Sequence, residues 1–122
     1  MEGTIIARVF TSNAFIPIAD ASVAFYQVEN GENRLLGFRL SNYDGFTSAL
    51  TVQTPPLDSA DISSEGKMPY ATVNILVNHS GYAPMLIRNA QVFTNVKSVQ
   101  ELMLVPSFDD TLQIITIPPQ ML

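Results

Sequence analysis

Apolar residues recur at every second position in run after run of this chain, and that period restricts what it can fold into more than any other feature. The clearest case is residues 70–78, where Val73, Ile75 and Val77 alternate with Thr72 and Asn74. In an extended strand successive side chains point to opposite faces, so such a run has one buried side and one solvated side. The same period appears at 4–11, with Ile5, Ala7 and Val9 on one side, and at 21–28, with Ala21, Val23 and Phe25. It continues at 34–40 with Leu36, Phe38 and Leu40, at 46–54 with Leu50 and Val52, through 82–94 by way of Asn89, and at 99–106 with Leu102 and Leu104. No stripe at i, i+3, i+4, i+7 accompanies it, and the runs are filled by β-branched and aromatic residues, which lose rotamer freedom in a helix. Seven strands and no helix are expected, arranged as a two-sheet Greek-key sandwich around one core, which is the size of core a chain of 122 residues supports.

The turns between the runs suggest their order. Glu29-Asn30-Gly31-Glu32-Asn33 is polar and glycine-centred and reads as a hairpin turn. Asn42-Tyr43-Asp44-Gly45-Phe46-Thr47 reads the same way and is expected to fold 34–40 back beside 46–54. There Asn42 and Asp44 would accept backbone N–H groups and Gly45 would close the bend. Gly81 plays that part in Asn78-His79-Ser80-Gly81, and Asn95-Val96-Lys97 is a further turn. Residues 12–20 carry Pro17 and read as a loop. The longest irregular section, 54–69, holds Leu57, Asp58, Ser59 and Asp61; it is either a proline-stiffened crossover between sheets or a binding loop. The domain is expected to span 1–106. A tail, 107–122, contains a β-like stretch at 111–117 that needs a strand partner, on the domain or on another molecule.

Several chemistries are set aside by composition. Hydrophobic residues make up 47% and charged residues 14%, which indicates a folded protein with much of its surface covered. The net charge is −5 and the six Lys and Arg are scattered singly, so no basic stripe is available for nucleic acid. With no cysteine there is no disulfide, thiolate ligand or cysteine nucleophile. No stretch reaches the roughly 20 apolar residues of a membrane-spanning helix. No signal peptide is visible, which fits the bacterial cytoplasm, the forespore or a cell-wall domain cut from a longer chain. The single histidine, His79, adjoins Ser80 in a turn without an orienting carboxylate or a Gly-x-Ser-x-Gly elbow, so it reads as a solvated turn residue. One histidine and no cysteine leave zinc without its preferred ligands, and neither Asn42 with Asp44 nor Asp58 with Asp61 supplies the oxygens calcium takes. Asp109-Asp110 reads as a solvated pair. Lys67 and Lys97 fall in loops, which argues against an isopeptide cross-link. No catalytic residue, metal or cofactor is expected. Among the four tyrosines, Tyr26, opposite Val23 and Phe25, and Tyr43, at a turn tip, are free to stack on a sugar, while Tyr70 and Tyr82 read as packing residues.

Four motifs in order, Gly3-Thr4-Ile5, Pro17 before Ala21-Ser22-Val23, Asn42-Tyr43-Asp44-Gly45-Phe46, and Gly81-Tyr82 after an apolar strand, resemble the carboxypeptidase regulatory-like domain of the transthyretin-like fold. A longer string is similar to the pro-region domain of spore-cortex-lytic enzymes of spore-forming bacteria. It comprises Val9-Phe10-Thr11, Gly45-Phe46-Thr47, Thr54-Pro55-Pro56 with Ser59, Pro69-Tyr70, Phe93, Val96-x-Ser98-x-Gln100 and Leu104-x-Pro106. The resemblance implies a seven-stranded prealbumin-like sandwich in a spore or cell-wall context, and no cortex-lytic catalytic domain accompanies it here. The expected function is a non-catalytic accessory module that binds a protein partner or itself through Leu57, Asp58 and Asp61 of the long loop and through the tail. The alternative is a peptidoglycan or other glycan binder that uses Tyr26 and Tyr43.

Overall fold

The computed structural model describes residues 1–55, 69–107 and 111–118. These residues form nine strands and no helix: β1 (Glu2–Thr11), β2 (Ile16–Pro17), β3 (Ser22–Glu29), β4 (Glu32–Leu40), β5 (Leu50–Gln53), β6 (Tyr70–Asn78), β7 (Met85–Phe93), β8 (Lys97–Leu104) and β9 (Gln113–Thr116). They make a β-sandwich of a four-stranded and a five-stranded sheet. In the first sheet β8 runs parallel to β1 along Thr4 to Thr11, and β5 and β2 pair antiparallel with β1. In the second the order is β4-β3-β6-β7-β9, antiparallel except for the last pair.

The core lies between the sheets and follows the period of two. Ile5, Ala7, Val9, Leu50, Val52, Leu102 and Leu104 face Val23, Phe25, Val73, Ile75, Val77, Met85, Ile87, Ala90 and Val92 in one buried cluster. Backbone polar groups that the ladders leave over are met by buried hydroxyls, because an unpaired interior N–H or C=O is costly. Thr47 Oγ1 accepts the Ala7 N–H at 3.0 Å, and Ser41 Oγ accepts the Ala21 N–H at 2.9 Å while donating to the Ile18 carbonyl at 2.6 Å. Thr94 Oγ1 lies 2.7 Å from both Thr54 Oγ1 and the Pro55 carbonyl. The carbonyl can only accept, so Thr94 gives it its one proton and receives that of Thr54.

Three expectations need correction. The 29–33 hairpin joins β3 to β4 across Asn30 and Gly31, both in the left-handed region, but the turn at Asn42 to Thr47 is not a hairpin. It carries the chain from β4 in one sheet to the other. After it, the Gly45 carbonyl accepts from the Val9 N–H at 2.7 Å and the Thr47 N–H donates to the Ala7 carbonyl at 2.9 Å, so the chain docks on β1 instead of returning along β4. Among the described residues the count is also nine and not seven, because the 12–20 loop contributes β2 and the tail contributes β9, which lies parallel to β7 with Leu86 beside Ile114. Third, Leu36, Phe38 and Leu40 do not share a face. A β-bulge sets the register from Phe25–Gly37 to Tyr26–Leu35, leaving Leu36 as the extra residue packed against the core. One extra residue inverts the alternation beyond it, so Phe38 and Leu40 point away from the core.

Candidate functional site

The bulge in β4 gives the five-stranded sheet an unusual outer face. Residues paired across a ladder lie on the same side of a sheet, so the register can be followed strand by strand. Phe38 pairs with Ala24, Ala24 with Leu76, Leu76 with Leu86, and Leu86 with Ile114. That is an apolar row across all five strands, on the side opposite the core row of Phe25, Ile75 and Ile87. Leu86, the fourth residue of the row, is only 8% exposed, although it lies outside the sandwich core. Above and below the row on β4 and β3, the same face carries Leu40 beside Ser22, Leu35 beside Tyr26, and Val28 beside Asn33. Val28, Leu35, Phe38, Leu40 and Ile114 are each 50–64% exposed.

The face changes character toward a second bulge. There the register passes from Val73–Ala90 to Ile75–Ile87, Asn89 takes a φ of +64°, and its N–H donates to Asn74 Oδ1 at 3.0 Å. Asparagine accepts the left-handed region because its short amide bonds locally. A hollow of about 380 Å³ opens at this place, lined by Gln27, Val28, Glu29, Thr72, Asn74 and Asn89. Gln27 is tied across it by its Nε2, which donates to the Thr72 carbonyl at 3.1 Å, and Glu29 pairs with Arg34 at 3.0 Å. Tyr26, paired with Leu35 on one side and Asn74 on the other, stands between the apolar part of the face and this polar hollow.

The outer face of the four-stranded sheet holds a smaller cluster. The Arg8 guanidinium lies 4.9 Å from the Phe15 ring centroid, 5.5 Å from that of Phe10 and 5.6 Å from that of Phe46, with a Glu101 oxygen at 3.7 Å. Phe15 reaches this position with a φ of +55°, rare for an aromatic residue, in a turn closed by its N–H on the Ser12 carbonyl at 3.1 Å. The Arg8 Nε is buried without a hydrogen-bond partner, and the guanidinium packs among the three rings, whose faces attract a cation.

The residues singled out from sequence are dispersed. Tyr43 is 92% exposed on the crossing between sheets. Tyr26 is half-buried on β3, four residues beyond the Ser22–Leu40 pair that precedes that crossing, or about 13 Å along the strand. The two tyrosines therefore do not form one platform. Leu57, Asp58 and Asp61 lie outside the described residues, as do Lys67, Asp109 and Asp110. Asn42 Oδ1 accepts the Asp44 N–H at 2.9 Å and the Phe46 N–H at 3.0 Å, whereas Asp44 contributes its backbone to that turn. Gly45 has a φ of +83°, and a side chain there would run into the Val9 carbonyl; Gly81 has a φ of +85° in open space. His79 Nδ1 sits 2.9 Å from the Ser80 carbonyl, with the ring edge-on to Tyr82. Among the described residues no three His, Cys, Asp or Glu side chains come together as metal ligands would.

Sequence reading missed Leu35, Leu76, Leu86 and Ile114, and with them the hollow. A signal was present: strict alternation fails at Ile75-Leu76-Val77, Met85-Leu86-Ile87 and Ile114-Ile115. Consecutive apolar residues in a strand mean that both faces of its sheet are apolar.

No protein-family model and no curated protein matches this chain. Among solved structures it is similar to the crystal structure of 3-chlorocatechol 1,2-dioxygenase from Rhodococcus opacus 1CP, with a TM-score of 0.51 and 12% sequence identity. The superposition covers 86% of this chain and 61% of that one, so the chain spans less than two thirds of the dioxygenase's length. At that identity the likeness extends to the β-sandwich fold and no further.

Proposed function

We propose that this chain is a non-catalytic interaction module of the transthyretin-like, carboxypeptidase regulatory-like kind, and that it works through the outer face of its five-stranded sheet. The observation that carries the reading is the apolar row from Phe38 to Ile114. An apolar patch of several hundred Å² marks an interaction surface more often than chance exposure. The absence of catalysis rests on the sequence, which has one histidine and no cysteine, and on the position of that histidine in a turn against Ser80 and Tyr82. The spore or cell-wall context rests on the resemblance to the pro-region domain of cortex-lytic enzymes. The loop residues Leu57, Asp58 and Asp61 remain candidates for the same partner.

The test is photocrosslinking from position 38. A benzophenone amino acid in place of Phe38, introduced in a spore-forming host, is expected to give a discrete protein adduct, and the same group at Tyr43 is not. Equal labelling from the two positions, or none from position 38, refutes the reading.

A second reading has one observation in its favour. The hollow beside Tyr26 is lined by amides, a hydroxyl and a carboxylate, the groups that bind sugar hydroxyls, next to an aromatic ring. A peptidoglycan or other glycan site is then at Tyr26, Asn74 and Asn89, with Tyr43 playing no part. Retention on purified cortex or wall that is lost in Tyr26→Ala and kept in Tyr43→Ala is the expected result, and retention unchanged by both substitutions refutes it.

A further inference from the structure

The two sheets differ in width, and the difference falls on one side of the sandwich. β5 pairs with β1 at Glu2 to Ile5 and β2 pairs with it at Phe10 and Thr11, so both lie along one edge of β1 while β8 lies along the other. That sheet is three strands wide and faces one that is five strands wide. Ile115 shows where the excess lies. It pairs with the core residue Ile87, which puts it on the inward side of β9, yet it is 45% exposed. Two residues on, Ile117 lines a hollow of about 240 Å³ together with Ser98, Val99 and Gln100 of β8. The five-stranded sheet therefore reaches past β8, the outermost strand of its neighbour.

The backbone of β8 is open along that side. The Thr4 N–H donates to the Val96 carbonyl at 3.0 Å, and in a parallel ladder alternate residues turn their N–H and C=O to the same neighbour. Ser98, Gln100, Leu102 and Leu104 thus face β1, and Lys97, Val99, Glu101 and Met103 face away from it. Among the described residues the outward groups of these four meet no other backbone; the Glu101 carbonyl receives only the Gln100 Nε2, at 3.3 Å. The next member of the series shows what this edge accepts. The Val105 carbonyl takes the Ala83 N–H at 2.9 Å, and Tyr82 bridges Pro106 antiparallel, before the chain leaves for the other sheet at Met85.

We infer that β8 from Lys97 to Met103 is a docking edge for an extended segment of a partner protein, which adds antiparallel to the narrow sheet and covers Ile115, Ile117 and the hollow. Donors and acceptors alternating at strand spacing fit another extended backbone. The side chains say which segment. Lys97, Val99 and Glu101 stand exposed on the outer face of β8. An acidic residue opposite Lys97, an apolar one opposite Val99 and a basic one opposite Glu101 complement them, while the residues in between point toward the hollow and favour apolar side chains. A second copy does not suit this place: docking by its own β8, it brings a further β7 and β9 to the side that β9 already fills. The edge belongs to the other sheet from Phe38, so the inference goes beyond the face proposed above and stands or falls separately from it.

Amide exchange with water, followed by NMR on the purified chain, tests this with the synthetic peptide acetyl-Ile-Thr-Lys-Val-Val-Val-Glu-amide, written to lie antiparallel on Met103 to Lys97. The expected Kd is below about 1 mM. With peptide at about ten times that constant, the Lys97, Val99, Glu101 and Met103 amides are expected to exchange roughly tenfold more slowly, and those of Ser98 and Gln100, already in the ladder, to be unchanged. N-methylation of the peptide's Lys and of its central Val removes two N–H donors and keeps every side chain; binding is expected to weaken roughly 30-fold. Exchanging the peptide's Lys and Glu is expected to weaken it as well, by a few-fold. A peptide that protects none of the four outward amides overturns the inference, as does one that binds equally well when N-methylated or when its charges are exchanged. A chain that is dimeric before peptide is added, with the Val99 amide already protected, gives the edge to a second copy and overturns it too.

Discussion

Thr47→Val isolates the contact that turns the chain from one sheet to the other. Thr47 is buried, its N–H donates to the Ala7 carbonyl at 2.9 Å and its Oγ1 accepts the Ala7 N–H at 3.0 Å, so one residue satisfies both polar groups of a residue with no exposure to water. Valine keeps the branched shape and the backbone bond but removes the acceptor. The Ala7 N–H is then left unpaired in the interior, at a cost of about 1–3 kcal/mol. With an unfolding entropy near 2.1 cal/mol/K per residue over 122 residues, a loss of about 2 kcal/mol lowers Tm by about 8 °C. Thr47→Ser keeps the acceptor and loses one methyl, worth about 1 kcal/mol, and so is expected to melt between the two. The assay is thermal unfolding followed by circular dichroism, with amide exchange at Ala7 as the local readout. A valine variant within about 2 °C of wild type, or one in which Ala7 exchanges no faster, would show that the hydroxyl does not hold the crossing.

Two further outcomes follow from the geometry. Deleting residues 111–122 removes β9 together with Ile117, which packs on the core, so the truncated chain is expected to unfold in less urea and to lose amide protection along β7 while β1 and β8 keep theirs; an unchanged urea midpoint would mean the strand contributes nothing to the sheet. Arg8→Ala is expected to cost about 2 kcal/mol through three aromatic contacts, and Glu101→Ala less than about 0.5 kcal/mol, because the pair is 3.7 Å long and solvated; equal effects in urea titrations would assign the stability to the ion pair instead.

Sequence by itself determined most of the strands and, outside β4, most of the residues that form the core. Ile5, Ala7, Val9, Val23, Phe25, Val73, Ile75 and Val77 are readable because a strand's period of two is a local property, written in consecutive residues. The hairpin at Asn30 and Gly31 is local too, since both residues tolerate a positive φ. Partner choice is not local. Asn42 to Thr47 has the composition of a hairpin, and only the docking of Gly45 and Thr47 on β1, more than thirty residues earlier in the chain, makes it a crossing between sheets. The tail likewise reads as a strand, but which strand accepts it depends on where the edge of β7 lies in space.

Tertiary structure alone decided the outer face. One extra residue at Leu36 reverses the sides of Phe38 and Leu40, and no period counted along β4 reveals it, because a bulge is a mismatch between two strands and not a feature of one. Once the register is known, Phe38, Ala24, Leu76, Leu86 and Ile114, taken from five separate strands, become neighbours. The residues proposed to act together are adjacent through hydrogen-bonded pairing and not through sequence, and so the surface came into view only when the strands were placed side by side.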